Sequence, residues 1–129
     1  MVGHLSLKTS PPDYSIIFAT LRAILREHAS KFVVTADTAK HYCLEIAYSP
    51  KFKKRFPVAW VNVSKSYVSF HYMPIYFAPT LKKSLSPGLK ARMQGKSCFN
   101  FKVADEKLFD ELRQLTSQGF ELSRKAGVV

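Results

Sequence analysis

Acidic residues are scarce in this chain, and its middle has none. Nine of the 129 residues are Asp or Glu, against 20 Lys and Arg, which gives a formal net charge of +11 at pH 7. No acidic residue lies between Glu45 and Asp105. General acid–base chemistry by a carboxylate is therefore not expected in that segment, and a conventional hydrolase is disfavoured. The excess of positive charge favours either an anionic partner or a lysine-rich solvated face.

Cysteines and long apolar runs are also few. Cys43 and Cys98 are the two cysteines, and neither belongs to a Cys-x-x-Cys pair, so a disulfide scaffold or a thioredoxin-type site is not indicated. We interpret them as reduced thiols. The first residues lack the apolar core of a signal peptide, and no run of about eighteen apolar residues occurs. We therefore expect a cytoplasmic, non-enzymatic protein that binds no cofactor and does not enter a membrane.

Apolar and aromatic residues, in contrast, are plentiful. The hydrophobic fraction is 47%, with ten Phe, six Tyr and one Trp, which predicts a globular fold. The length fits one domain. Residues 1–10 show no periodicity and are interpreted as a flexible arm, and residues 11–129 as a single folded domain.

The periodicity of the apolar residues predicts one long helix near each end of the chain. The first is expected to begin at Asp13, as its cap, and to end near Ser30. Its buried stripe is predicted to contain Ile17, Phe18, Leu21, Ile24, Leu25 and His28. The last helix is expected to begin at the cap Asp105. Its predicted buried side consists of Leu108, Leu112, Leu115 and Leu122.

Between these helices the period changes from helical to two, which predicts strands. Five stretches rich in β-branched and aromatic residues fit this pattern: residues 31–35, 41–48, 56–64, 67–73 and 97–103. Ser86 followed by Pro87, with Gly95 as a stop, predicts a short helix over residues 87–94. The predicted fold class is α+β, an antiparallel sheet of about five strands with the two long helices packed on one face.

Strict alternation along the strands assigns the side chains to two faces of the sheet. The face under the helices is predicted to carry Leu44, Ile46, Val61, Val63, Val68, Phe70, Phe99 and Phe101. The other face is mixed polar and aromatic, with His41, Cys43, Glu45, Trp60, Asn62, Ser69, His71, Cys98, Asn100 and Lys102. An uncovered face of this composition is a candidate binding surface. Closure of that face by residues 74–83, or by a second copy in a homodimer, is the alternative.

Two sets of residues are the predicted binding site. The sheet-face set consists of Trp60, Asn62, His71, Cys98 and Asn100. The second set is an anion-binding rim made of Lys51, Lys53, Lys54, Arg55, Lys82, Lys83, Lys90, Arg92 and Lys96. A protein or another anionic molecule is the expected partner. Nucleic acid is an alternative, because phosphate contacts and base stacking would use basic residues beside Phe52, Phe56, Trp60, Tyr67 and Tyr76.

Three short motifs point to other chemistry. Gly95-Lys96-Ser97 resembles the end of a phosphate-binding loop, but that loop needs a glycine where Lys90 stands and must be followed by a helix. Cys98 and His71 share a face and could form a nucleophile and base, although nothing nearby in sequence orients the imidazole. A metal site would have to combine His41, Cys43, Glu45, His71 and Cys98, without the paired spacings usual for structural zinc. We therefore predict no catalytic or metal residues.

Several stretches resemble the YdhG-like family of domains of unknown function. The most specific are Ser-Phe-His-x-Met-Pro at 69–74 and Gly-Lys-x-x-x-x-Phe at 95–101, and the resemblance extends from about residue 13 to residue 121. It implies a frataxin-like fold, with helices on one face of an antiparallel sheet. It also implies, as an alternative function, an iron-chaperone role in iron–sulfur cluster assembly. Iron prefers oxygen ligands, and the first helical region offers only Asp13 and Glu27.

Overall fold

Five helices and six strands make up the part of the chain that the structure, a computed structural model, describes, which is residues 14–129. The helices are α1 (Ser15–Arg26), α2 (Pro74–Phe77), α3 (Pro79–Lys83), α4 (Pro87–Lys90) and α5 (Glu106–Lys125), and a 3₁₀ turn (Ala29–Lys31) follows α1. The strands are β1 (Val33–Asp37), β2 (His41–Ser49), β3 (Lys54–Val63), β4 (Val68–Tyr72), β5 (Met93–Gln94) and β6 (Cys98–Phe101). The predicted arm, residues 1–10, and the predicted cap Asp13 lie outside the described residues.

All six strands belong to one antiparallel sheet, in the order β1-β2-β3-β4-β6-β5. The first four strands form the predicted meander, and the chain then crosses over through α2, α3 and α4 before it returns as β5 and β6. The predicted α+β class is confirmed. None of the helices described here has both the length and the apolar character that crossing a membrane requires.

The core lies between one face of the sheet and the two long helices. Its members include the predicted stripe of α1, from Ile17 to Leu25, and the predicted apolar face of the sheet. Phe70, Phe99 and Leu44 are fully buried there. His28 is half-buried at the edge of the core, where its ring meets that of Phe120 at 5.0 Å. These positions follow the predicted alternation because each strand has only one face under the helices.

Two helix starts have the caps that the sequence predicts. Asp105 Oδ1 accepts from the backbone N–H of Leu108 at 3.1 Å, and Ser86 Oγ accepts from that of Leu89 at 3.1 Å. Both predicted caps are therefore confirmed. Helix α1, however, ends at Arg26, four residues before the predicted end, and the chain tightens into the 3₁₀ turn.

The crossover between β4 and β6 contains more helices and strands than the sequence predicts. The sequence predicts one helix over residues 87–94, whereas α4 ends at Lys90 and residues 93–94 form a sixth strand. Gly95, at φ 78°, ends β5 rather than a helix. The helices α2 and α3, each with a proline at its start, were not predicted. They are only four and five residues long, and too short to show an apolar period.

The buried side of α5 differs from the predicted one at its C-terminal half. Leu112 and Leu115 are buried as expected and Leu108 is half-buried, but Leu122 is 39% exposed. Phe120 and Ser123 are buried instead, because the ring of Phe120 packs on that of Tyr72 with centroids 5.2 Å apart. Leu122 lies about 100° around the helix from Ser123, which turns it outward.

Candidate functional site

The face of the sheet away from the helices, which we call the open face, carries a continuous row of side chains. Across four neighbouring strands, Cys43 pairs with Trp60, Trp60 with His71, and His71 with Cys98. Side chains at paired positions lie on the same face of a sheet and within contact distance. Gln94 of β5 pairs with Cys98 and extends the row to the edge of the sheet.

A stacked aromatic pair lies at the centre of this row. The rings of Trp60 and His71 are nearly parallel, at 13°, with centroids 4.6 Å apart. Both side chains are half-buried, although no helix within residues 14–129 covers them. On the other side of His71, its Nε2 lies 3.6 Å from the Sγ of Cys98. The sequence therefore correctly indicated that these three residues come together.

A second row of side chains, two residues farther along each strand on the same face, is polar. It consists of His41, Asn62, Ser69 and Asn100. Asn100 Oδ1 accepts hydrogen bonds from the hydroxyl of Ser69 at 2.9 Å and from the thiol of Cys98 at 3.4 Å. His41 Nδ1 is buried without a partner among residues 14–129. Ser69 was assigned to this face but not to the site. Its pairing with Asn100 depends on β4 lying beside β6, which local pattern does not predict.

Burial disfavours the charged forms of His71, Cys98 and Cys43. It lowers the pKa of His71 below its usual value, and neighbouring His41 lowers that pKa further. Burial also raises the pKa of the Cys98 thiol, against a smaller opposing effect of the hydrogen bond with Ser69. The pKa of Cys43 is raised by burial as well. A thiol and a neutral imidazole in contact do not form the ion pair that activates a catalytic cysteine.

Among the described residues, the one carboxylate of this face, that of Glu45, already has partners. Glu45 Oε1 accepts from the Nε of Arg55 at 2.7 Å, and its Oε2 accepts from the hydroxyl of Thr35 at 3.2 Å. Within residues 14–129, no group of three His, Cys, Asp or Glu side chains is arranged to hold a metal ion. These residues therefore provide no oxygen-rich ligand set for the iron-chaperone alternative.

The nine predicted anion-binding residues are all exposed, but they do not form one rim. Lys51, Lys53 and Lys54 belong to the β2–β3 hairpin, and Lys96 lies in the β5–β6 turn at the same end of the sheet. Arg55 lies on the open face itself. The remaining four are distributed along the crossover, with Lys82 and Lys83 at the end of α3, Lys90 at the end of α4 and Arg92 next to β5.

A groove of about 310 Å³ borders the polar row of the open face. Arg92, Lys102 and Tyr67 line it, together with Asn100 and Gln94. This groove brings Asn100, from the predicted sheet-face set, together with Arg92, from the predicted anion-binding set. Tyr67 and Gln94 complete the wall, and only the pairing of β5 with β6 identifies Gln94 as a member.

A larger cavity, of about 580 Å³, lies away from this face, between the 3₁₀ turn, β2 and α5. Phe32 and Phe120 form its apolar wall, and Lys31, Arg124 and Glu121 lie at its rim. Arg124 is paired with Glu121, so most of the charge at the rim is neutralised within the protein. Size alone therefore does not make this cavity the candidate site.

No family model, curated protein or solved structure matches this chain. We therefore infer its function from the geometry of the open face and from the distribution of charge.

Proposed function

We propose that this chain is a non-enzymatic binding module that docks an acidic partner protein on the open face of its sheet. The observation that carries the proposal is the stacked pair of Trp60 and His71, at the centre of a sheet face that none of the described helices covers. Tryptophan is the residue most enriched at the energetic centres of protein interfaces, because a large apolar ring brings much area at a low entropic cost. Trp60 would be the anchor, and Asn62 and Asn100 would form hydrogen bonds around it.

The charge at the border of the face supports an acidic partner. Arg92 and Lys102 line the groove next to Asn100, and no carboxylate belongs to that groove. The chain as a whole carries a net charge of +11. Complementary charge at the edge of an interface mainly accelerates association and selects the partner. Binding should therefore weaken with salt, while Trp60 sets the lifetime of the complex.

The neutral state of Cys98 and His71 supports a binding rather than a catalytic role. Their pKa shifts leave a thiol next to a neutral imidazole, and both groups are poised for packing and hydrogen bonding. Membership of the YdhG-like family, based on the stretches at 69–74 and 95–101, is part of the same proposal.

Site-directed photo-crosslinking tests this proposal in cells. A photo-reactive amino acid in place of Asn62 would lie on the open face, and one in place of the exposed Gln114 on α5 would lie on the helical layer. We expect a discrete cross-linked product from position 62 and not from position 114. The product should contain an acidic protein and be lost in Trp60→Ala.

The same experiment separates the competing outcomes. A product that contains only a second copy of this chain would replace the acidic partner with a homodimer. Identical products from both positions, or products that persist in Trp60→Ala, would refute docking at this face. Ile16→Ala, which truncates a 65% exposed side chain on α1, is the matched control and should leave the product unchanged.

A further inference from the structure

One end of the sheet carries a cluster of aromatic rings surrounded by lysines. The rings belong to Phe52 in the β2–β3 hairpin, Phe56 on β3, and Tyr76 and Phe77 on α2. Phe52 lies 5.6 Å from Phe56 and 5.2 Å from Phe77, measured between ring centroids, and Tyr76 lies 5.9 Å from Phe77. The lysines are Lys51, Lys53, Lys54 and Lys96. We call these eight residues the aromatic–lysine cluster.

Two of the four rings face solvent. Tyr76 is 54% exposed and Phe52 is 38% exposed, whereas Phe56 and Phe77 are half-buried beneath them. Phe52, Phe56 and Phe77, with Lys54 and Met73, line a shallow groove of about 200 Å³. Exposed aromatic side chains that touch one another form a contiguous apolar patch, which is uncommon on a surface unless it binds something.

Each exposed ring has an ammonium group beside it. Lys51 Nζ lies 5.9 Å from the ring centroid of Phe52, and Lys96 Nζ lies 5.8 Å from that of Tyr76. None of the four lysines forms a salt bridge within residues 14–129, where every salt bridge uses an arginine. Their charges are therefore available to an external anion.

The hairpin presents its lysines in a defined conformation. Lys53 has φ 56°, the left-handed region, and is the one non-glycine residue of the described chain with a positive φ. Its N–H donates to Ser49 O at 2.7 Å, and the N–H of Lys51 donates to Gly127 O at 2.9 Å. A lysine in this conformation costs roughly 1 kcal/mol relative to glycine. The loop therefore retains a charge where glycine would be favoured.

We propose that the aromatic–lysine cluster binds single-stranded nucleic acid, with bases stacked on Tyr76 and Phe52 and phosphates next to the four lysines. Unpaired bases stack on exposed aromatic rings regardless of sequence, and lysines along the path neutralise the backbone. An ammonium beside each exposed ring places a positive charge close to the backbone of a nucleotide stacked on that ring. Duplex nucleic acid does not fit equally well, because its bases are already stacked on each other.

An anionic membrane surface is the main competitor, and the exposure of the rings disfavours it. Insertion into a bilayer interface needs apolar side chains that project beyond the charged groups. Here Phe56 and Phe77 are half-buried, and the exposed rings of Phe52 and Tyr76 each have a lysine ammonium group beside them. This site is separate from the open face, so the proposal goes beyond the docking function and does not depend on it.

The test is fluorescence anisotropy of the full chain with a short fluorescein-labelled oligothymidylate, over a series of salt concentrations. Four lysine–phosphate contacts predict a slope of log K against log salt of about −3. We expect Tyr76→Ala and Phe52→Ala each to weaken binding by about 5- to 150-fold, the loss of one stacked base. Tyr76→Trp should restore the binding that Tyr76→Ala loses.

Matched variants separate binding from folding. Tyr48→Ala removes a tyrosine that is 59% exposed but lines the cavity beside α5, and it should bind as the unmodified chain does. Lys53→Gly relieves the left-handed conformation while it removes one charge. It should fold at least as stably and reduce the salt slope by about 0.7. Trp60→Ala should leave the oligonucleotide affinity unchanged, which distinguishes this site from the docking face.

Several results would overturn the proposal. One is an affinity for a labelled duplex of the same length that equals the affinity for the single strand. Another is binding by Tyr76→Ala and Phe52→Ala that is as tight as binding by the unmodified chain. The third is no binding at low salt. Binding to vesicles of phosphatidylcholine and phosphatidylserine that needs Phe52, without oligonucleotide binding, would assign the cluster to a membrane surface instead.

Discussion

The two faces of the sheet are made by the same strands and differ by a shift of one residue. On the helix side, Phe70, Tyr72 and Phe99 are fully buried in one continuous core. On the other side, neighbours such as His71 and Cys98 remain half-buried and form polar contacts with each other. The comparison indicates that the helix-side face holds most of the buried apolar side chains of the sheet, while the other face holds fewer.

Truncation on the helix side should cost far more than truncation on the open side. Phe70→Ala removes a fully buried ring, and we expect the free energy of unfolding to fall by about 3–5 kcal/mol. His71→Ala, the next residue, should cost about 1 kcal/mol, mainly its stacking on Trp60. Urea unfolding followed by circular dichroism measures both values. Equal losses would contradict the division between the faces.

A methyl group added between α5 and the sheet should destabilise the helix side. A Cβ at Gly119 would lie 2.2 Å from the hydroxyl oxygen of Tyr72, which donates to the carbonyl of Thr116. Gly→Ala within a helix normally stabilises by up to about 1 kcal/mol. Here we expect a loss of about 1–3 kcal/mol, because the core is already closely packed.

Chemical denaturation of Gly119→Ala tests this reversal of sign. Gln118→Ala, at the exposed neighbouring position, is the control and should be nearly neutral. If Gly119→Ala increased the midpoint of unfolding, α5 would lie farther from Tyr72 than the structure places it.

The two thiols should react at different rates, although both lie on the open side. Burial raises the pKa of Cys43 and of Cys98, so both should be alkylated by iodoacetamide more slowly than free cysteine near neutral pH. Cys98 is half-buried and Cys43 is 8% exposed, so Cys98 should react first. Mass spectrometry of a time course gives the order. Faster modification of Cys43 would show that the thiol on β2 is more accessible than the thiol on β6.

The two cysteines should not form a disulfide within one chain. They are separated by three strand spacings, or roughly 14 Å, whereas a disulfide needs Cα atoms within about 7 Å. An intrachain disulfide found by mass spectrometry after oxidation would contradict the strand order.

The smallest expected effect is a dependence of stability on pH. Burial lowers the pKa of His71, and of His28, below 6.5, so the folded chain binds fewer protons than the unfolded chain as the pH falls. Stability should be complete above pH 6.5 and decrease below it. His71→Gln should reduce this dependence, as measured by unfolding at about pH 7 and pH 5. A His71 pKa above 6.5 in an NMR titration would contradict the burial of this ring.

Local sequence patterns predicted the features that depend on neighbours in the chain. The caps Asp105 and Ser86, the alternation from Val68 to Tyr72 and the stripe of α1 required no knowledge of distant contacts. The prediction erred where tertiary contacts decide. Residues 93–94 become a strand because β6 lies beside them, and Phe120 displaces Leu122 from the core because Tyr72 lies opposite.

The same distinction applies to the site. Alternation placed Trp60, His71 and Cys98 on one face, and the register then showed that they touch. It could not show that Arg92 borders Asn100, because that contact depends on the crossover. Nor could it bring Phe52 together with Tyr76 and Phe77, since Phe52 belongs to the β2–β3 hairpin and the other two belong to α2.

The accessibility of Trp60 tests whether the open face of the sheet is uncovered in solution. It is the single tryptophan of the chain, so acrylamide quenching of its fluorescence reports on the open face alone. We predict a partly accessible indole, with a quenching constant between those of buried and free tryptophan and no change as the protein is concentrated. A quenching constant near zero, or one that falls with protein concentration, would show that the face is covered or paired with a second copy and would contradict the account.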